Sequence, residues 1–185
     1  MYKMIALDMD GTLLNSQKKI SKATLEAINK AFNAGKEVVL CTGRCIPELQ
    51  EYIEQIKDLR YIIGISGALV YDLKEKKEIY INKIPENQVD IIFDAIEGVD
   101  VLPHVLSEKS LVQKGQMENM EYYGMGAYKS LFEKVATPVD NIAEYSIKNK
   151  VDVLKLNLYH AFQEDREKTR KKLEKENLVM VNAEK

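Results

Sequence analysis

The chain has 185 residues, of which 45% are hydrophobic and 30% charged, a composition that fits a globular protein of one compact domain or two small ones. Its net charge is −2 with acids and bases interspersed, which argues against nucleic acid as a partner. No apolar run approaches the roughly 20 residues of a membrane span, and the start shows no signal-peptide pattern. Two cysteines are too few for a disulfide framework, so we expect a cytoplasmic protein.

The first third of the chain alternates buried strands with amphipathic helices. The continuous apolar run Met4–Leu7 predicts a strand covered on both faces, and Ser21 is placed to cap the helix that follows. EVVLCTG and YIIGIS predict two further buried strands, with a helix opened by Pro47 between them. This order predicts an α/β fold with a Rossmann-like parallel sheet and helices on its faces.

The pattern changes after Gly67. The segment ALVYDLKEKKEIYINKI predicts a β-hairpin, and we place a domain boundary near Lys83, between residues 1–83 and an α+β domain of residues 84–185. In the second domain, helices are predicted to start at Pro85, at Thr137-Pro138 and in the charged segment after His160. Its predicted strands are VDVLPHVL, SLVQKG, VDVLKLNLYH and VMVNA.

The first strand runs into DMDGT, which places two aspartates two residues apart. If the strand geometry continues through Met9, Asp8 and Asp10 point into one crevice. Two neighbouring carboxylates repel each other, and a hard cation such as Mg²⁺ relieves that repulsion. Ligands of open α/β sheets bind beyond the carboxyl ends of the strands, which is where Asp8 lies. An ordinary Asp-Gly turn with surface acids is the alternative interpretation.

The apolar run, the DMDGTL segment and a second apolar strand ending in CTGR together resemble the haloacid dehalogenase-like superfamily of phosphotransferases. Within it, the chain is similar to the Cof-type sugar-phosphate phosphatases, whose large α/β cap is inserted after the third core strand. The resemblance covers residues 1–83 and, more loosely, the order of elements in residues 84–185. It implies a Mg²⁺-dependent phosphatase that hydrolyses a small phosphorylated metabolite through an aspartyl-phosphate intermediate.

The resemblance also implies a role for each matching residue. Asp8 would attack phosphorus, and Asp10 would act as general acid and then as general base. The Asp8 carboxylate and the Asp10 backbone carbonyl would bind Mg²⁺. Thr42 would hydrogen-bond the phosphoryl oxygens with help from the Gly43 N–H. The remaining substrate-binding candidates are Arg44, for which a solvated side chain is the alternative, Gly67, and Ser66, which stands where family members usually have asparagine.

Two motifs that the family carries after its cap are absent from the sequence. One is a lysine that stabilises the phosphoaspartate, and the other is an acidic segment that completes the Mg²⁺ shell. We therefore expect a fragment or truncated product whose Met4–Leu7 strand forms an exposed apolar edge. A homodimer through this core-sheet edge is a further explanation. The alternative to an active phosphatase is an impaired remnant that binds phosphate or a partner protein.

Other chemically capable residues have ordinary structural interpretations. Cys41 and Cys45 could form a metal pair, but no further ligands accompany them, so a core position is favoured. His104 and His160 stand alone in the second domain, where a surface or core position is favoured over substrate contact. Packing is likewise favoured over a pocket for the tyrosines Tyr122, Tyr123 and Tyr128.

Overall fold

The computed structural model describes residues 2–182, and the chain divides into two compact units. The first unit comprises Met1–Lys83 with Glu108–Ser110, and the second comprises Ile84–Ser107 with Leu111–Lys185. The strands form two separate sheets, one of five strands and one of four. Among the described residues, no helix combines the length and the apolar content needed to cross a membrane.

The first sheet has the strand order β1-β2-β3-β4-β5. Parallel pairing joins β1 to β2 and β2 to β3, whereas β3, β4 and β5 pair antiparallel. The predicted α/β class is confirmed, with a mixed rather than a wholly parallel sheet. The strands are β1 (Met4–Asp8), β2 (Glu37–Cys41), β3 (Tyr61–Gly64), β4 (Leu69–Asp72) and β5 (Lys77–Ile81).

The helices of the first unit pack against this sheet through apolar side chains. Helix α1 (Lys22–Asn33) begins where predicted, because the Ser21 hydroxyl accepts a hydrogen bond from the N–H of Thr24 at 3.1 Å. A 3₁₀ turn at Ile46–Leu49 leads into α2 (Gln50–Gln55). Each large apolar side chain buried in such a core contributes about 1.5–3 kcal/mol to folding. The fully buried members of this core are Met9, Val38, Leu40, Leu49, Ile56 and Ile62.

Strand β1 is an edge strand, since β2 alone pairs with it among the described strands. Its side chains are exposed although most are apolar: Met4 is 56% exposed and Ile5 is 38% exposed. An interior strand of a sheet flanked by helices would bury these residues on both faces. The burial on both faces predicted for Met4–Leu7 is therefore wrong, because no described strand covers the outer side of β1, whereas the exposed apolar edge also expected for this strand is present.

The second unit holds a four-stranded sheet with the order β8-β7-β6-β9, in which β6 and β9 are antiparallel. Its strands are β6 (Val101–Leu106), β7 (Ser110–Gln113), β8 (Ala136–Val139) and β9 (Lys155–His160). Its helices are α3 (Glu86–Ile96), α4 (Lys114–Met117), α5 (Lys129–Val135), α6 (Ile142–Lys148) and α7 (Gln163–Leu173).

Two predicted elements of the second unit are wrong. Thr137-Pro138 does not start a helix but lies in the edge strand β8, where a proline without an N–H is tolerated. Helix α6 begins at Ile142 instead, because the Asn141 side chain caps it by accepting from the N–H of Glu144 at 3.0 Å. The VMVNA segment forms no strand over residues 179–182, and Val179 is 97% exposed; Ala183 lies outside the described residues.

Both histidines of the second unit are part of its interior. His104 lies on β6, 2% exposed, with its ring centroid 4.6 Å from that of Phe132. Burial, aided by the positive charge of Lys155, lowers the pKa of His104 to about 3. The Nε2 atom of His160 is 2.9 Å from the hydroxyl of Thr169, and burial lowers the pKa of His160. The structural interpretation of these histidines thus agrees with their positions.

The tyrosines of the second unit are held by specific contacts. The hydroxyls of Tyr122 and Tyr123 both donate to the carboxylate of Asp100, at 2.8 and 2.7 Å. The two rings meet edge to face, with 5.1 Å between their centroids. Tyr128 packs, partly buried, against the apolar cluster that contains Leu102. Packing and carboxylate bonding therefore account for all three tyrosines.

Candidate active site

A cavity of about 330 Å³ lies where the parallel strands of the first sheet end. The strand register pairs Asp8 with Cys41 and Cys41 with Ile63, so β1, β2 and β3 bring their last residues to one edge. Ligands of α/β sheets bind at this edge. The cavity is lined by Asp8, Cys41, Thr42, Gly43, Ile63, Ser66 and Gly67.

Asp8 is the last residue of β1, and a tight turn follows it. Met9 is fully buried and anchors the turn in the core, so the aspartates on either side of it point out of the core. Gly11 has a φ of +82°, which a glycine adopts without steric penalty. The hydroxyl of Thr12 donates to Oδ2 of Asp8 at 2.7 Å and orients the carboxylate at the cavity.

Asp10 lies within this turn and is bound by two cations. Arg44 donates to it twice, from Nε to Oδ2 and from Nη2 to Oδ1, both at 2.9 Å. Lys18 donates from Nζ to Oδ1 at 2.8 Å. Burial by itself would raise the pKa of Asp10, but the hydrogen bonds from Arg44 and Lys18 outweigh it and lower the pKa of this carboxyl. Asp10 is not among the residues that line the cavity.

Backbone hydrogen bonds fix the loops after β2 and β3 to each other. The N–H of Thr42 donates to the carbonyl of Ile63 at 2.9 Å, and the N–H of Ser66 donates to the carbonyl of Thr42 at 3.0 Å. The Thr42 hydroxyl accepts from the N–H of Arg44 at 3.2 Å. These contacts fix the loop that brings Thr42 and Gly43 to the cavity, beside the end of β1.

The loop after β3 contains three consecutive residues with positive φ: Ile65 at +51°, Ser66 at +55° and Gly67 at +92°. A left-handed backbone costs about 1–2 kcal/mol for a residue with a Cβ, and asparagine tolerates it better than serine. This explains in physical terms why an asparagine suits position 66. Ser66 and Gly67, both predicted to bind substrate, line the cavity.

The two cysteines are placed too differently to act as a pair of equal ligands. Cys41 lines the cavity, and burial together with the charge of Asp8 raises the pKa of its thiol. Cys45 is fully buried, and burial raises the pKa of its thiol strongly. Both thiols are therefore protonated at neutral pH. Within residues 2–182, no three His, Cys, Asp or Glu side chains group as a metal site.

The sequence does not predict a role at the site for three residues of this neighbourhood: Thr12, Lys18 and Tyr52. Thr12 follows the aspartate motif directly, so its place in the turn was a usable signal. Lys18 and Tyr52 reach the site only through tertiary contacts. The Tyr52 hydroxyl donates to the Lys18 carbonyl at 2.9 Å, and its ring lies 5.6 Å from Cζ of Arg44.

The chain is therefore an α/β protein with a cavity at the carboxyl ends of its parallel strands, and Asp8 is one of the residues that line this cavity. The sequence matches the model of the family described as haloacid dehalogenase-like hydrolase over residues 5–184, and the chain belongs to this family. The family predicted from the DMDGTL and CTGR segments is therefore confirmed.

Curated relatives match the chain over part of its length. It is 44% identical over 73 residues to the putative phosphatase YxeH of Bacillus subtilis, which covers 38% of this chain and 27% of that protein. It is 37% identical over 86 residues to the 5-amino-6-(5-phospho-D-ribitylamino)uracil phosphatase YcsE of the same organism, covering 44% and 34%. The matched stretches thus span between about a quarter and a third of the length of these relatives.

Solved structures share the fold over nearly all of this chain. A haloacid dehalogenase-like hydrolase from B. subtilis superposes with a TM-score of 0.75 at 21% identity, covering 93% of this chain and 66% of that one. The subclass IIB sugar phosphatase BT4131 superposes with a TM-score of 0.74 at 19% identity, covering 93% and 64%. The chain therefore has the fold of these proteins over about two thirds of their length.

Proposed function

We propose that this chain carries the phosphoryl-transfer site of a phosphatase that hydrolyses a small phosphorylated metabolite, such as a sugar phosphate. The observation that carries the proposal is the shared cavity of Asp8, Thr42 and Gly43 at the ends of two adjacent strands. A carboxylate, a hydroxyl and a backbone N–H facing one space can attack and hold a phosphoryl group. Residues 84–185 would serve as the cap that selects the leaving group.

In the first step, an oxygen of Asp8 attacks phosphorus and an aspartyl-phosphate forms as the ester oxygen departs. Thr12 holds the other carboxylate oxygen of Asp8, which orients the attacking atom. Thr42 and Gly43 line the cavity, and their hydroxyl and N–H groups would hydrogen-bond the phosphoryl oxygens. Ser66 and Gly67, on the next loop, would bound the same space.

Asp10 is proposed to protonate the departing oxygen and then to take a proton from the water that hydrolyses the aspartyl-phosphate. Its carboxylate is bound by Arg44 and Lys18, which favours the charged form, the form suited to the second step. Arg44, which is predicted to bind substrate, contacts Asp10. We propose that Arg44 acts through Asp10.

Mg²⁺ is the proposed cofactor. Hard oxygen donors suit this ion, which keeps several water ligands and takes one or two carboxylates from a protein. The chain offers the Asp8 carboxylate and the Asp10 backbone carbonyl, and these donors fit part of such a shell. When bound, Mg²⁺ would neutralise the charge repulsion between the phosphate dianion and Asp8.

The test is turnover of p-nitrophenyl phosphate by the 185-residue chain with and without Mg²⁺. Activity abolished by Asp8→Asn and by chelation, and retained in the matched surface variant Asp58→Asn, supports the proposal. A folded wild-type chain without turnover contradicts it for this chain. Activity that survives Asp8→Asn contradicts the assigned nucleophile.

A second candidate is a non-catalytic remnant that binds phosphate or a partner protein. It is favoured by the lack of a three-residue metal cluster within residues 2–182 and by the ion pairs that occupy Asp10. Calorimetric binding of inorganic phosphate at the cavity, lost on Thr42→Val and unaccompanied by turnover, would favour this candidate over the phosphatase.

A further inference from the structure

Lys18 takes part in a closed ring of contacts around Asp10. Its Nζ atom lies 2.8 Å from Oδ1 of Asp10, and Arg44 occupies both oxygens of the same carboxylate at 2.9 Å. The Arg44 guanidinium stacks on the ring of Tyr52, and the Tyr52 hydroxyl bonds the backbone carbonyl of Lys18. The carboxylate therefore has two cationic neighbours that are themselves joined through one tyrosine.

The loop that carries Lys18 is built to present this side chain. The Asn15 side-chain oxygen accepts from the N–H groups of Gln17 and Lys19 at 2.9 and 3.0 Å, which closes a tight turn. Lys18 itself has a φ of +56°, an unfavourable backbone conformation for a residue with a Cβ. The hydrogen bond from Tyr52, which is 7% exposed, ties that strained residue to the buried core.

Charge and exposure separate the two cations. The Arg44 side chain is 9% exposed, so its pairing with Asp10 is partly structural. The Lys18 side chain is 49% exposed, and a pair this exposed adds little to the stability of the fold. The contact from Lys18 restricts Oδ1 of Asp10 from a second direction, so its consequence is the orientation of the carboxylate.

We propose that Lys18 is a positioning residue that, with Arg44, holds the Asp10 carboxylate in the orientation used for proton transfer. The proposal rests on the proposed function, because it needs Asp10 to act as acid and base. Tyr52 serves both cations by fixing the loop of one and the guanidinium plane of the other.

The test compares two phosphate esters that differ in their need for a proton at the departing oxygen. p-Nitrophenolate leaves without protonation, whereas the alkoxide of glycerol 2-phosphate requires it. In Lys18→Met the pKa of Asp10 rises, but the lost orientation outweighs this gain in the acid form. The kcat/KM for glycerol 2-phosphate therefore falls about 10-fold or more, and kcat/KM for p-nitrophenyl phosphate falls less than about 3-fold. Lys18→Arg restores the alkyl ester activity, and the neighbouring control Lys19→Met leaves both activities unchanged.

Each outcome bears on a different claim. Equal losses for both esters, or no loss in Lys18→Met, overturn the positioning role while the phosphatase stands. A wild-type chain that hydrolyses neither ester removes the proposed function and, with it, this role. Thermal melting of each variant by circular dichroism checks folding, and we expect the melting temperature of Lys18→Met to stay close to that of wild type.

Discussion

The hydroxyl of Thr12 donates a hydrogen bond to Oδ2 of Asp8 across 2.7 Å, four residues along the chain. The turn between them is closed by a backbone bond from Leu14 to Met9 at 2.9 Å, so the threonine has little freedom to move away. One oxygen of the proposed nucleophile is thereby held in place by its own motif. The orientation of Asp8 thus depends on a residue that does not line the cavity.

We expect Thr12→Val to lower kcat for p-nitrophenyl phosphate by about 10-fold or more, because a hydrogen bond to a charged group contributes about 1.5–3 kcal/mol. Thr12→Ser keeps the hydroxyl and should retain activity within a few-fold of wild type. Steady-state kinetics of the two variants makes the comparison. Equal activities of the valine and serine variants would show that the contact does not orient Asp8.

Replacing Ser66 with glycine should stabilise the first unit by about 0.5 kcal/mol. Glycine relieves the left-handed strain at a φ of +55°, and this gain exceeds the extra entropy of glycine in the unfolded chain. Ala68→Gly, two residues away at a φ of −73°, has no strain to relieve and should destabilise by about 0.5–1 kcal/mol. If the urea midpoints of both variants moved in the same direction, the backbone of Ser66 would not be strained.

Acidification should destabilise the second unit through His104. Its pKa is about 3 in the folded protein and near 6.5 in the unfolded chain, so only the unfolded state takes up a proton between these values. Stability therefore falls as the pH drops below 6.5 and goes on falling towards pH 3. At pH 5 the loss from this residue is about 2 kcal/mol relative to neutral pH.

Denaturant unfolding between pH 7 and pH 5 measures this effect, and His104→Gln serves as the variant that cannot titrate at position 104. The pH dependence of its unfolding free energy should be weaker than that of wild type, and the lowered pKa of His160 contributes to the part that persists. Identical slopes for the two proteins would show that His104 is readily protonated in the folded state.

Ile5→Lys should reduce self-association of the chain at high concentration, because a lysine on an edge strand opposes pairing with a second strand. Ile5 lies on the β1 edge and is 38% exposed. Ile147→Lys, on helix α6 and 55% exposed, adds the same charge away from any strand edge and is the control. Sedimentation velocity measures the self-association of each variant. Equal self-association of the two variants would show that the apolar β1 edge is not the surface through which the chain associates.

The sequence predicts the first unit well, because its signals are local. The Ser21 cap and the apolar runs of β1, β2 and β3 decide their elements without help from distant residues. The helix start predicted at Thr137-Pro138 is wrong because proline is tolerated both in an edge strand and at a helix start. The position of β8 at the edge of its sheet, which the sequence does not reveal, decides between the two. VMVNA has strand composition but no partner strand over its described residues.

The candidate site divides in the same way. Asp8 and Thr42 come from strand ends, which periodicity and motif predict. The contacts of Asp10 could not be predicted in this way. The position of Lys18 depends on a turn in which its own φ is positive, and the position of Arg44 depends on its contact with the ring of Tyr52. The two aspartates also have different surroundings, because the backbone leaves strand geometry after Asp8. The shared crevice expected for them is not formed: Asp8 lines the cavity, and Asp10 is ion-paired with Arg44.

The edge position of β1 has a consequence for how firmly Asp8 is delivered. Alternate peptide groups of β1 point towards β2 and form hydrogen bonds with it. The remaining peptide groups point away from β2, and no described strand pairs with them, whereas β2 is hydrogen-bonded on both sides. Deuterium should therefore replace the outward amide protons of β1 long before those of β2. Thr42 thus follows a strand that is hydrogen-bonded to a neighbour on each side, whereas Asp8 ends a strand that is hydrogen-bonded on one side.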